Sequence, residues 1–188
     1  MIKERFITYV EESIRKNWDI EALSNYREKG YTYKEIAEKI VKIHMVFREF
    51  GIAEGDKIAM VGRNSANWCA TYLAVVTYGA VVVPILPDFR TEDLQNIINH
   101  SDSKLIFADE KIWEQLEAEK LKEISCAISL DNFAIVMSRS ESQSSFYNNL
   151  DTKFKETFPA FSQNDISFSK IDNEQLAVIS YTSGTTGF

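Results

Sequence analysis

Cysteine is scarce. Only Cys69 and Cys126 occur, far apart, with no Cys-x-x-Cys spacing and no histidine beside either. That argues against a disulfide framework and against a Cys/His metal site, and no metal-binding residues are expected. Both thiols read as free, buried groups in a reducing compartment. Basic residues are also in deficit: 21 Lys and Arg stand against 28 Asp and Glu, for a net charge of −7 and a pI near 5.0. Such a chain repels a phosphate backbone, and its cations are scattered rather than gathered into a stripe, so no nucleic-acid partner is expected. The amino terminus lacks an uninterrupted apolar run, because Lys3, Glu4, Arg5, Glu11, Glu12, Arg15 and Lys16 interrupt it. Secretion is therefore not expected, and a cytoplasmic location is. One stretch does lack charge altogether, from Asn64 to Pro87, roughly long enough to span a bilayer. Gly79, the β-branched run Val81-Val82-Val83, and Pro84 and Pro87 instead suit a buried helix, a turn and a buried strand, so no transmembrane segment is expected.

What is present is the raw material of a core: 45% hydrophobic and 12% aromatic residues, with charged residues at an ordinary 26%. Phe6, Ile7, Val10 and Ile14 recur at helical spacing, which predicts an amphipathic helix ending near Trp18. Ala22 to Tyr26 and Tyr31 to Tyr33 flank Arg27-Glu28-Lys29-Gly30 as a β-hairpin would. Thr32 and Glu35 have the spacing of a capping box that opens a helix. Ile36, Ile40, Ile43, Phe47 and Phe50 give that helix its buried face, and Gly51 stops it.

Strands and helices are then expected to alternate. A strand at Lys57–Val61 leads to Asn64 or Ser65 as cap and a helix through Tyr78; Gly79 ends it, and Ala80 to Pro84 is the next strand. A helix from Thr91 to about His100, a strand Lys104 to Ala108, a helix from Glu110 to about Lys122 and a strand near Cys126 to Leu130 follow. The fold class expected is α/β, with a mostly parallel sheet and helices on both faces. Residues 138–149, rich in Ser, Asn and Gln, are expected to form a mobile surface loop. A weak helical pattern runs from Leu150 to Phe158, and Ala177 to Tyr181 reads as a buried strand. His44 and His100 are assigned structural places on their helices, and Trp18, Trp68 and Trp113 places in or over the core.

That last strand runs into Tyr181-Thr182-Ser183-Gly184-Thr185-Thr186-Gly187. Two glycines and a cluster of hydroxyls let a backbone turn sharply and surround phosphate oxygens, which makes a phosphate cradle; the composition fits a flexible Ser/Thr/Gly tail equally well. A Walker loop does not fit, because only Thr185 and Thr186 separate Gly184 from Gly187, and neither does a dinucleotide-binding fingerprint, because no Gly-x-Gly-x-x-Gly opens a helix.

This segment resembles the signature loop of the adenylate-forming superfamily, which includes acyl-CoA synthetases, luciferases and peptide-synthetase adenylation domains; every position from Tyr181 to Gly187 matches. Tyr31-Thr32-Tyr33-Lys34-Glu35-Ile36 is similar to the family's early Thr-Tyr-x-Glu-Leu segment. Asn64-Ser65, Tyr78-Gly79-Ala80 and Val83-Pro84 resemble its helix and strand ending in Val-Pro. The resemblance implies that residues 1–188 are the first part of the family's large amino-terminal domain, ending inside the phosphate-binding loop. It also implies an ATP-, Mg2+- and coenzyme A-dependent ligase, in which a carboxylate attacks the α-phosphorus of ATP and a thiol then takes the acyl group. Thr182, Ser183, Gly184, Thr185, Thr186 and Gly187 would hold phosphates, and no catalytic residue is carried over. The corner Val83-Pro84-Ile85-Leu86-Pro87-Asp88-Phe89 resembles the fatty acyl-CoA synthetases, which makes a long-chain fatty acid the expected substrate. A peptide-synthetase adenylation domain and a nonenzymatic binding or scaffold module stand as alternatives. The chain by itself is expected to be inactive, and apolar surface meant for the rest of the domain leaves room for a homodimer.

Overall fold

Parallel pairing organises the molecule. The computed structural model describes residues 5–168 and 170–182. Its main sheet has the order β4-β3-β5-β6-β7, with β3 at Lys57–Val61, β4 at Val81–Ile85, β5 at Ser103–Ala108, β6 at Cys126–Ser129 and β7 at Ile135–Ser138. The first four run parallel, and β7 returns antiparallel beside β6. Ile58 lies opposite both Val82 and Leu105, so the sheet's centre is aliphatic on every side and almost wholly buried.

Each crossover is set by local chemistry. Helix α1 (Phe6–Lys16) precedes a small antiparallel hairpin of β1 (Glu21–Leu23) and β2 (Tyr31–Thr32). Helix α2 (Tyr33–Glu49) starts at the expected capping box: the Glu35 amide donates to Thr32 Oγ1 (3.2 Å), and the Thr32 amide donates to Glu35 Oε2 (2.7 Å). That backbone hydrogen bond from Thr32 is the main cause that holds the Glu35 carboxyl below its ordinary range. Helix α3 (Ala66–Tyr78) is capped by Ser65, whose hydroxyl accepts from the Trp68 amide, and ends on Gly79 at φ 94°. Helix α4 (Thr91–His100) connects β4 to β5.

Alternation along the strands sends side chains into two cores. Ile58, Met60, Val82 and Phe107 meet α2 and α3 on one face; Ala59, Val61, Val83 and Ile106 meet Leu94 and Ile98 of α4 on the other. Helices thus cover both faces of a mostly parallel sheet, as expected.

Four expectations for the chain before Ala177 need correction. The first hairpin strand stops at Leu23, and Tyr26 is 84% exposed in the turn. The helix expected from Glu110 to Lys122 is a single turn, α5 (Glu110–Trp113), then an irregular run with a 3-10 turn at Ala118–Lys120. Side chains of α4 hold that run: Gln95 Oε1 accepts from the Glu117 amide, and Asn99 bonds both the Lys120 carbonyl and the Lys122 amide. Within 138–149, Glu141–Asn148 is helix α6, capped by Ser140, although it stays at the surface; helix α7 (Leu150–Thr157) follows. Cys126 is buried as expected, but Cys69 is only half-buried.

Candidate functional site

The parallel strands all deliver their carboxyl ends to one edge of the sheet, the edge where ligands bind in doubly wound folds. Connections diverge between β3, which leads through α3 to β4, and β5, which leads away to β6. At that divergence the Asp109 carboxylate closes the gap. It accepts from the Arg63 amide at 2.9 Å, and the Asp109 amide donates to the Val61 carbonyl at 3.0 Å. Gly62 makes room for it, since a Cβ there would collide with Asp109 and lie 2.7 Å from Leu130 Cδ1. Burial raises the Asp109 carboxyl above its ordinary value, and nearby Asp131 adds to the shift. This arrangement escaped the sequence reading; its only signal was a glycine directly after a strand.

The candidate phosphate loop begins beside β4. The segment expected to be a buried strand, Ala177 to Tyr181, makes one parallel bridge, Val178 opposite Val82. The Val82 amide donates to the Ala177 carbonyl, and the Ile179 amide to the Val82 carbonyl, both at 2.9 Å. In a parallel ladder the next rung would come from the amide of residue 84, and Pro84 has none. Pairing therefore stops after one rung. Ala177 and Ser180 are exposed, and Val178, Ile179 and Tyr181 only half-buried, which corrects the expectation of burial.

Period-two alternation survives even so. Val178 packs on one core, and Ile179 and Tyr181 on the other. The Tyr181 hydroxyl lies 2.8 Å from Nδ1 of His100 at the end of α4, with the rings edge-to-face at a centroid distance of 5.7 Å. His100, assigned a structural place, thus anchors the residue before the loop. Thr182 follows, exposed at the carboxyl edge. Of the expected phosphate-binding residues only Thr182 is described; Ser183, Gly184, Thr185, Thr186 and Gly187 lie outside the described residues. An exposed hydroxyl residue leaving a sheet edge fits a triphosphate, because it is open and can donate. Among the described residues no group of three or more His, Cys, Asp and Glu side chains could hold a metal ion, and no helix is long and apolar enough to cross a membrane.

Comparison with known proteins agrees with this fold. The chain is 26% identical over 162 residues to 4-hydroxybutyrate--CoA ligase 2 of Metallosphaera sedula, covering 86% of this chain and 29% of that protein. It is 26% identical over 181 residues to N-(5-amino-5-carboxypentanoyl)-L-cysteinyl-D-valine synthase of Penicillium rubens, covering 95% of this chain and 4% of that one. Its fold matches the crystal structure of a long-chain-fatty-acid-CoA ligase from Archaeoglobus fulgidus with a TM-score of 0.67 at 19% identity, over 94% of this chain and 34% of that one. The chain therefore spans about a third or less of the proteins it matches. Residues 10–188, nearly the whole chain, match the family described as AMP-binding enzyme, and the chain belongs to that family of adenylate-forming ligases.

Proposed function

We propose that this chain supplies the first part of an AMP-forming acyl-CoA ligase, and that the phosphate loop beginning at Thr182 steadies the pyrophosphate end of ATP during acyl-adenylate formation. One observation carries the reading: a strand tied to β4 by a single rung brings Tyr181 and Thr182 to the carboxyl edge of a doubly wound sheet, at the point where the sequence enters the loop motif. ATP with Mg2+ would supply the electrophilic phosphorus and the leaving group, and coenzyme A the accepting thiol. The contribution of Thr182, Ser183, Gly184, Thr185, Thr186 and Gly187 would be donors fixed in advance where charge develops. A substrate carboxylate is already ionised at neutral pH, so this step needs no general base.

The corner Val83-Pro84-Ile85-Leu86-Pro87-Asp88-Phe89 supports a long-chain fatty acid as the substrate. Leu86 is 62% exposed there, an apolar side chain at the same sheet edge as Thr182. A peptide-synthetase adenylation domain is the second reading, supported by the relative named as an N-(5-amino-5-carboxypentanoyl)-L-cysteinyl-D-valine synthase, which aligns over 95% of this chain.

Carboxylate-dependent ATP–pyrophosphate exchange distinguishes the two, measured with fatty, aromatic and amino acids on a protein in which this chain continues past Phe188 into the rest of the domain. Exchange with fatty acids and not amino acids is expected, and the reverse favours the adenylation domain. The 188-residue chain alone is expected to be silent; steady pyrophosphate release by it would overturn that part of the proposal.

A further inference from the structure

A cavity lies between α2, the β6–β7 turn and helices α6 and α7, with a volume of about 360 Å3. It is of the size that takes a small organic molecule. Its floor is apolar, made by Ile43, Val46, Phe107 and Ile128, and so reaches through to the sheet. In a chain of net charge −7 its lining carries two lysines against one aspartate.

The two lysines differ in their partners. Lys42 is satisfied, with Glu38 Oε1 at 2.6 Å and Asp151 Oδ1 at 2.7 Å. Lys39 is half-buried, and among the described residues it makes no hydrogen bond or ion pair. Its ammonium lies instead over two aromatic faces, 4.5 Å from the Tyr31 ring centre and 4.7 Å from that of Phe133. Burial lowers its pKa, aided by the neighbouring Lys42 cation and opposed in part by Glu38 and Glu35, neither of which bonds it. Phe133 is itself held at φ 58°, a conformation that costs a bulky residue energy, and its carbonyl accepts the Tyr147 hydroxyl from α6. A strained residue, a locked tyrosine and a lysine with no hydrogen-bonded anion among the described residues thus meet at one apolar-floored cavity.

We propose that this cavity binds a small monocarboxylate with a compact apolar body, its carboxylate on Lys39 between Tyr31 and Phe133 and its body on the floor of Ile43, Val46, Phe107 and Ile128. One lysine whose hydrogen bonds are open suits a single carboxylate, and the apolar floor favours an organic acid over inorganic phosphate. Neither Tyr181 nor Thr182 lines this cavity, and the proposal does not depend on the ligase reading.

Benzoate is the probe, with benzamide as its neutral counterpart, followed by amide chemical shifts of the 188-residue chain at constant ionic strength. Saturable shifts at Phe133, Tyr147 and the α2 amides around Lys39 are expected with benzoate, and a roughly tenfold or weaker response with benzamide, the ratio that a charge-assisted hydrogen bond gives. Lys39→Met should lose about tenfold or more in affinity, and Lys39→Arg should restore most of it. Should Lys39→Met fail to fold, Asn148→Asp is the second variant: it adds a negative charge at the exposed rim and should weaken benzoate but not benzamide. Equal binding of benzoate and benzamide, indifference to these variants, or no saturable shift at these residues would overturn the proposal.

Discussion

The phenolic oxygen of Tyr181 sits 2.8 Å from Nδ1 of His100, joining the last residue before the candidate phosphate loop to the carboxyl end of α4. The phenolic hydroxyl can donate or accept, so the pair forms with either tautomer of the His100 ring. Tyr181→Phe keeps the ring contact and loses only the hydrogen bond. We expect a double-mutant cycle of Tyr181→Phe and His100→Ala, read by urea unfolding, to give a coupling of about 0.5–1.5 kcal/mol. Zero coupling would mean that the two side chains meet without holding the strand.

Pro84 explains why that strand is barely a strand. Val82 exchanges both of its main-chain hydrogen bonds with Ala177 and Ile179, and the missing amide two residues later ends the ladder. Pro84→Ala restores the donor. The gained hydrogen bond, about 1 kcal/mol, is offset by the similar entropy that proline removes from the unfolded chain, so little change in Tm is expected. Hydrogen exchange is the informative measurement. Slow exchange of the new amide at position 84, with added protection at Tyr181, would show the ladder extending toward the loop; fast exchange there would mean that something else turns the chain away.

Much of this was legible in the sequence, and the parts that were not share a cause. Thr32 with Glu35, Ser65, Gly51 and Gly79 are local devices, fixed by backbone geometry within a few residues, and each sits where its chemistry predicts. Helix α5 stops early because of residues elsewhere in the chain: Gln95 and Asn99, one turn apart on α4, capture the backbone of residues 117–122. A continuous helix would also set Leu116 and Leu121 about 140° apart, whereas the irregular chain buries both. Polar α6 exists because Ser140 caps it and Tyr147 bonds the Phe133 carbonyl across the cavity. The burial expected for residues 177–181 failed on one proline of a neighbouring strand, a cross-strand effect that composition does not register.

Gly79 and Gly51 offer a paired test of why a helix ends in glycine. Both have positive φ, 94° and 68°. A Cβ on Gly51 would meet nothing within 4 Å, while one on Gly79 would lie 2.9 Å from Ile171 Cδ1 and 3.0 Å from Glu54 Cγ. Gly51→Ala should therefore cost only the left-handed strain, about 1 kcal/mol. Gly79→Ala should cost more, up to about 3 kcal/mol, because its neighbours must also shift. Equal losses in denaturant melts would show that Ile171 and Glu54 yield freely.

His44 should govern the acid limb of the stability curve. It is buried on α2, its Nε2 donating to the Ala74 carbonyl at 2.9 Å and lying 3.1 Å from Thr77 Oγ1. Burial, opposed in part by the Ala74 hydrogen bond and aided by Arg48, lowers its pKa from 6.5 to about 4. A base with a depressed folded-state pKa binds fewer protons folded than unfolded between those values, so its contribution is complete above 6.5 and is lost as pH falls toward 4. The whole shift corresponds to about 3 kcal/mol, of which about 2 kcal/mol is gone by pH 5. Carboxylates with lowered pKa, such as Glu35, Asp56 and Asp151, act mainly at lower pH, and the raised Asp109 carboxyl works in the opposite direction, gaining stability as pH falls, so the loss between pH 7 and pH 5 is ascribed to His44. His44→Gln can keep a donor near the Ala74 carbonyl while removing the titration. Unfolding free energies measured at both pH values should fall for the wild-type chain and stay nearly level for the variant; parallel falls in the two proteins would assign the acid sensitivity to other groups.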